Sequence, residues 1–209
     1  MCIRDRTSGS ETISHGLSST PQFIIVKSAA QAYSWVVWHK DLTSAAYSLI
    51  LNTTAAQSNG INAWNSTLPT SSVFTLGSAY ANAGVSIAFC WHDVPGLQKF
   101  GSYVGNGNAN GPVIETGFKP AIIWIKSIAG AEHWRIVDSA RDPINPADAE
   151  LYANSSGATT DIDLLDFLSD GFKIKVNYSG SNTNGHTYIY CAWAEAPSFN
   201  MYGASSNAR

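Results

Sequence analysis

Few residues in this chain could do chemistry, and their spacing limits what that chemistry would be. Asp161, Asp163, Asp166 and Asp170 form the densest acidic run, and paired acids are what glycoside hydrolysis requires. Asp138 and Arg141 stand three apart in WRIVDSARDP, a spacing that fits either an acidic site with an activating arginine or a turn whose charges satisfy each other. The run Asn106-Gly107-Asn108-Ala109-Asn110-Gly111 has the glycine of a calcium loop at its sixth place. Its ligand positions hold amides in place of carboxylates, and Glu115 comes too early to close the loop, so a plain Asn/Gly turn connecting two domains is expected. The histidines are His15, His39, His92, His133 and His186. They form no HxH, HExxH or Cys/His constellation, and no metal site or cofactor is expected. GxSxG, P-loop and helix-opening GxGxxG motifs are absent. Trp64 with Asn62, and Tyr178 with Asn182, lie in loops rich in amides and hydroxyls. That mixture suits an aromatic ring stacking on a sugar with hydrogen bonds at its rim, and equally a loop packed back on its own domain.

The elements that would position these groups come in two sets. FIIVKS at Phe23–Ser28 returns as IIWIKS at 122–127, with Lys126 following Lys27 by 99 residues. The match extends outward: Pro21 pairs with Pro120, Trp35 with Trp134, Asn52 with Asn154, Trp91 with Trp193, Pro95 with Pro197 and Phe100-Gly101 with Tyr202-Gly203, the offset ending at 102. A period near one hundred residues is the size of a small domain, too long for a solenoid unit. Two tandem domains are therefore expected, at residues 7–99 and 100–203. Residues 1–6, MCIRDR, share no character with the rest and read as translated adapter sequence, while 204–209 read as the start of a further segment.

Within each half the pattern is that of strands. Short β-branched and aromatic runs such as Phe23–Val26, Trp35–Trp38, Ile122–Ile125, Phe172–Val176 and Tyr188–Trp193 alternate with Gly, Asn, Ser and Pro clusters. Trp134-Arg135-Ile136 reads as a half-buried strand with Arg135 outward. Ser169-Asp170-Gly171 reads as a hairpin turn in which glycine supplies positive φ. Helix has only two short candidates, Pro146–Tyr152 and Ile162–Leu168. The fold class is thus all-β: two tandem homologous antiparallel β-sandwich domains of jelly-roll or concanavalin-like type. Trp35, Trp91, Trp134 and Trp193 are expected in the cores, Cys90 and Cys191 as buried free thiols, and the acidic run at a solvated strand edge, since the matching segment around Leu68–Ser72 holds no acid.

Composition narrows the partners. Only 13% of residues are charged against 44% hydrophobic, and the net charge is −3, which argues against disorder. The twelve basic residues are scattered, so no nucleic-acid partner is expected. No apolar run approaches the roughly 20 residues of a membrane span, and no membrane insertion is expected.

GSYxGNGxxxGPxxxTGFxPxxxxIK from Gly101 to Lys126, WxIxDxxR from Trp134 to Arg141, xDFLSxGFKIK around Asp166–Lys175 and YIYxAxAEAP from Tyr188 to Pro197 together resemble a repeated β-rich module of tailed-bacteriophage tail and tail-fibre-like virion proteins, of the type found in marine phages. The resemblance covers the second half almost end to end. The first half matches more loosely and lacks the Asp/Arg pair. What it implies is a structural or adhesive virion part that contributes to host attachment, meets other tail proteins and a host surface glycan, works outside cells, and has no catalytic residues. Two other readings stand beside it: a lectin-like module using Trp64, Asn62, Tyr178 and Asn182, and a tail-borne polysaccharide depolymerase using the acidic run.

Overall fold

The computed structural model describes residues 2–4, 9–80, 84–158 and 160–195. Residues 1, 5 and 6 of the expected leader, Pro197, Tyr202-Gly203 and the segment 204–209 lie outside the described residues. The chain is all-β, the one helical element among the described residues being a 3₁₀ turn at Ser78–Tyr80, and it divides into two compact units, Met1–His92 and Asp93–Arg209. All the strand pairs are antiparallel.

The first unit holds β1 (Cys2–Arg4), β2 (Glu11–Ser14), β3 (Phe23–Ser28), β4 (Val36–His39), β5 (Leu49–Ile50), β6 (Val73–Leu76) and β7 (Ser86–Trp91). They form a five-stranded sheet in the order β1-β7-β3-β4-β5 and a separate β2-β6 pair. The run FIIV of β3 is continuously buried, as a strand covered on both faces should be. The leader expected to stand apart from the fold supplies β1, whose three residues pair with Ser86–Ala88 of β7.

The second unit holds β8 (Gln98–Val104), β9 (Val113–Glu115), β10 (Pro120–Ser127), β11 (Arg135–Asp138), β12 (Ala147–Tyr152), β13 (Thr160–Leu168), β14 (Gly171–Ile174) and β15 (Thr187–Ala194). They make one eight-stranded sheet in the order β8-β15-β10-β11-β12-β13-β14-β9. The sheet curls nearly into a barrel. Phe172 on β14 packs edge-on against Tyr103 of β8 at 6.4 Å and Tyr190 of β15 at 5.4 Å, so strands far apart in the order share one core. The Asn106–Gly111 turn lies inside this unit, between β8 and β9, and does not connect domains.

The registers of the two sheets correspond. Ile24 lies between Trp38 and Cys90, and Ile123 between Val137 and Ala192, both isoleucines fully buried. Ile13 opposite Phe74 corresponds to Ile114 opposite Phe172. The recurrent Lys-Ser is explained by the loop that follows it. Ser28 Oγ accepts from the amides of Ala30 (3.2 Å) and Gln31 (2.9 Å), and Ser127 Oγ from that of Gly130 (3.0 Å). Lys27 Nζ donates to the carbonyls of Gln31 and Tyr33, and Lys126 Nζ to those of Ser127 and Gly130. Across the next strand, the Asn52 and Asn154 side-chain oxygens each accept the amide of the matched tryptophan, Trp35 or Trp134, at 2.9 Å. Asn52→Ala and Asn154→Ala are each expected to cost about 1 kcal/mol in urea denaturation, the usual worth of one such bond.

Several expectations are corrected. Residues 147–152 and 160–168 are strands, not helices; pairing within an eight-stranded sheet outweighs their weak local helical pattern. β13 is an interior strand, so its acids do not blunt an edge. Ser169-Asp170 closes the β13–β14 hairpin with Leu168 opposite Gly171, yet Gly171 is not there for positive φ. A Cβ on it would stand 1.9 Å from the Ile114 carbonyl oxygen, so glycine is required by the close approach of β9. Of the four matched tryptophans only Trp134 is fully buried, and Trp35 is 37% exposed; the sheet around Trp35 has five strands where that around Trp134 has eight. Cys191 is buried and its thiol is pushed well up by that burial, while Cys90 is half-buried; neither forms a disulfide.

Candidate functional site

β11 carries the feature the sequence pattern reads wrongly. Arg135 points inward and is 0% exposed, as is Glu150 on β12. Arg135 Nη1 donates to Glu150 Oε2, and the other oxygen of Glu150 accepts from the Tyr152 hydroxyl at 2.5 Å. The guanidinium carbon stands 4.5 Å from the Tyr178 ring centroid and 5.4 Å from that of Tyr152, whose ring stacks on His133 at 4.2 Å. Glu132 lies 4.0 Å from Nη2. Burial would favour losing the charge of Arg135, but the hydrogen bond and charge of Glu150, helped by Tyr178 and Tyr152, win and raise its pKa further. Alternation misled because a paired, ring-covered guanidinium is tolerated where an isolated one is not.

The first unit builds the same strands without this charge. Val36 occupies the register of Arg135, pairing with Val26 and Ile50 as Arg135 pairs with Ile125 and Tyr152. Ser48 precedes Ile50 by the two residues that separate Glu150 from Tyr152, and Val36 and Ser48 are also buried. The ion pair is therefore not a requirement of the strand framework.

Its effect is to fasten the loop 175–186. A Cβ at Gly180 would lie 2.2 Å from Nε and Nη2 of Arg135, so this loop backbone rests directly on the guanidinium and leaves no room there for a substrate. Arg135 Nε and Nη2 have no hydrogen-bond partner among the described residues. From the other side, Tyr103 and Tyr188 donate their hydroxyls to the carbonyls of Ser181 (2.8 Å) and Ser179 (2.7 Å), and the Thr183 amide donates to the Tyr188 oxygen at 2.9 Å. Asn182 is 0% exposed. Its Oδ1 accepts the Asn106 amide at 2.8 Å, and its Nδ2 reaches Asn106 Oδ1, the Asn108 carbonyl and the Val176 carbonyl at 3.2, 2.7 and 2.9 Å.

The four residues considered for sugar binding fall in both units. Asn62 and Trp64 lie in the first unit, Tyr178 and Asn182 in the second. Trp64 is buried at 2% exposure, under a loop in which Asn62, Asn65 and Ser66 all take left-handed backbone angles. Burial of Trp64 and full engagement of the Asn182 amide leave neither able to meet a sugar. Asn62 is exposed and Tyr178 half-buried, with one ring face taken by Arg135. Asp138 and Arg141 bond each other at 2.7 Å, and Asp138 also accepts the amides of Ala140 and Arg141. Burial would raise the Asp138 pKa, but these Arg141 contacts overcome it and lower it. Asp161 and Asp163 are exposed, Asp166 pairs with Lys175 at 3.0 Å, and no group of three or more metal-ligating side chains occurs among the described residues.

Lys126 gives this region a pH dependence. Burial pulls its pKa from 10.5 down to about 8, against the opposing charge of Glu132. Between those values the unfolded chain binds a proton that the folded chain lacks, so stability rises with pH through this window, and below about pH 8 the full cost of burying the charge is felt. In urea denaturation between pH 8 and 10 the chain should gain about 2 kcal/mol relative to Lys126→Met, the comparison cancelling Cys191, whose raised thiol acts in the opposite sense in both. Tyr80, raised to about 12 by burial and by Tyr33, also acts in the opposite sense, above pH 10.

Two compact β units whose interior polar groups clamp loops define an all-β chain with a fastened loop surface and no open catalytic cleft at the ion pair. Residues 5–197 match the model of a domain of unknown function, DUF7483, and the chain belongs to that family, one model running through both units. No curated protein and no solved structure matches it.

Proposed function

We propose that the chain is a structural and adhesive part of a phage tail or tail fibre, working outside cells in host attachment without catalysis, and built as two copies of one sandwich-type β module. The observation that carries the reading is where the polar chemistry goes. Lys27, Lys126, Ser28, Ser127, Asn52, Asn154, Arg135 and Asn182 all hold loops and strands in place. Such groups rigidify a surface and leave nothing poised to react. The matched registers of Ile24 with Ile123, and of Ile13 with Ile114, support the duplication. The low charge and the Ser, Thr and Asn content fit an exposed module strung with others, and the tail-protein resemblance of residues 101–197 adds the setting.

Antibody raised against the purified chain should label tails or fibres of virions made from the parent genome in immunogold electron microscopy. Labelling of infected-cell cytoplasm alone would oppose it. Incubation with capsular polysaccharide should release no reducing ends; release that Asp163→Asn abolishes would replace this reading with a depolymerase. A glycan-array signal lost on Tyr178→Ala would favour the lectin.

A further inference from the structure

We infer that Asn59 is a site of spontaneous covalent modification, at which the backbone nitrogen of Gly60 closes on the Asn59 side chain and converts its amide to a carboxylate. The chain has four Asn-Gly pairs, at 59–60, 106–107, 110–111 and 184–185. Glycine in second place favours this chemistry, because no side chain hinders the close approach of its backbone nitrogen. The sequence makes the four pairs equivalent. Their surroundings do not.

In the reaction the Gly60 nitrogen attacks Cγ of Asn59, and a new C–N bond forms as the bond from Cγ to Nδ2 breaks. Nδ2 leaves as ammonia, taking the proton that the Gly60 nitrogen gives up. Water then opens the cyclic imide at either carbonyl, which yields aspartate or, where the main chain is rerouted through Cγ, isoaspartate. No oxidant, reductant or cofactor enters. The attacking nitrogen has to be free of any hydrogen bond that holds it, so a glycine amide fixed to another segment reacts only after local opening.

Three of the glycine amides are fixed in this way. Gly107 donates to the Asn182 carbonyl at 3.0 Å, Gly111 to that of Ile174 at 3.1 Å and Gly185 to that of Gly105 at 2.9 Å. Asn106 is itself tied down, its Nδ2 donating to the Asn110 carbonyl and its Oδ1 accepting the Asn108 amide, both at 3.0 Å. Gly60 differs. Its amide donates only to the Ser58 hydroxyl, at 3.1 Å, and Ser58, Asn59 and Gly60 are all exposed. The Asn59 side chain has no hydrogen-bond partner among the described residues.

The chain on either side of the pair is anchored. Ser58 exchanges both backbone hydrogen bonds with Ser48 at 2.9 Å, and the Ala63 carbonyl accepts the Gly77 amide at 2.7 Å. Isoaspartate therefore adds a main-chain carbon between two fixed points. No Asp, Glu, Lys or Arg stands between Asp41 and Asp93, so the product carboxyl, ionised above about pH 4, brings charge to a stretch that otherwise has none.

The full chain, held for weeks in mildly alkaline buffer and mapped by peptide mass spectrometry, should show the amide-to-acid mass gain and isoaspartate at Asn59, while Asn106, Asn110 and Asn184 keep their amides. A more acidic species should grow in on anion exchange. In guanidinium chloride all four pairs should convert, because unfolding frees the three fixed amides. Gly60→Ala should lose the Asn59 conversion without unfolding the chain, since Gly60 has no positive φ and a Cβ there would meet only Ser58 Oγ, at 3.4 Å. Equal conversion of all four pairs in the folded chain, an Asn59 that survives folded yet converts when unfolded, or a Gly60→Ala chain that converts at the original rate would each overturn the inference.

Discussion

Glu150→Ala is expected to destabilise the second unit by about 3–5 kcal/mol, because it leaves the Arg135 guanidinium charged, buried and without its carboxylate. Arg135→Val alone should cost a similar amount, since it strands the Glu150 charge at 0% exposure. The informative variant carries both Arg135→Val and Glu150→Ser, the residues that Val36 and Ser48 supply in the first unit. It should recover most of the loss, as replacing a whole buried ion pair with neutral, well-packed groups often does. Urea denaturation of the single and double variants measures this as a coupling energy. If the single variants prove additive, the pair is not the clamp described above.

Asn182→Ala should cost about 2–4 kcal/mol, because it leaves the Asn106 amide and the carbonyls of Asn108 and Val176 without the amide that joins them. Hydrogen exchange should quicken at Asn106 and at Gly107, whose amide donates to the Asn182 carbonyl at 3.0 Å. Unchanged stability would mean that the Asn106–Gly111 turn holds itself through its own side chains.

The strands were legible where apolar runs are continuous. FIIVKS and IIWIKS mark the central strands β3 and β10, and their shared Lys-Ser marks the loop clamp that follows each. The Asn-Gly run was legible as a turn but not its place, because what fixes it is Asn182, far along the chain. Arg135 was misread for a physical reason: a pattern of polar and apolar residues reports one strand, and its burial depends on Glu150, Tyr152 and Tyr178 from other segments. The one signal available was the comparison of halves, where Val36 matched with Arg135 places an apolar residue and a charge in one register. The aromatic loops carry the same lesson. Trp64 and Tyr178 look alike in polar sequence surroundings, yet one is buried and the other half-open beside a cation.

Expression of residues 93–209 alone, followed by a two-dimensional amide NMR spectrum and a urea titration, tests most directly whether the chain is built of self-sufficient β modules. Dispersed peaks and one cooperative transition with the fragment's first-unit sequence removed are the predicted result. A collapsed spectrum, or unfolding without a transition, would show that the half depends on its partner sequence to fold and would contradict the account.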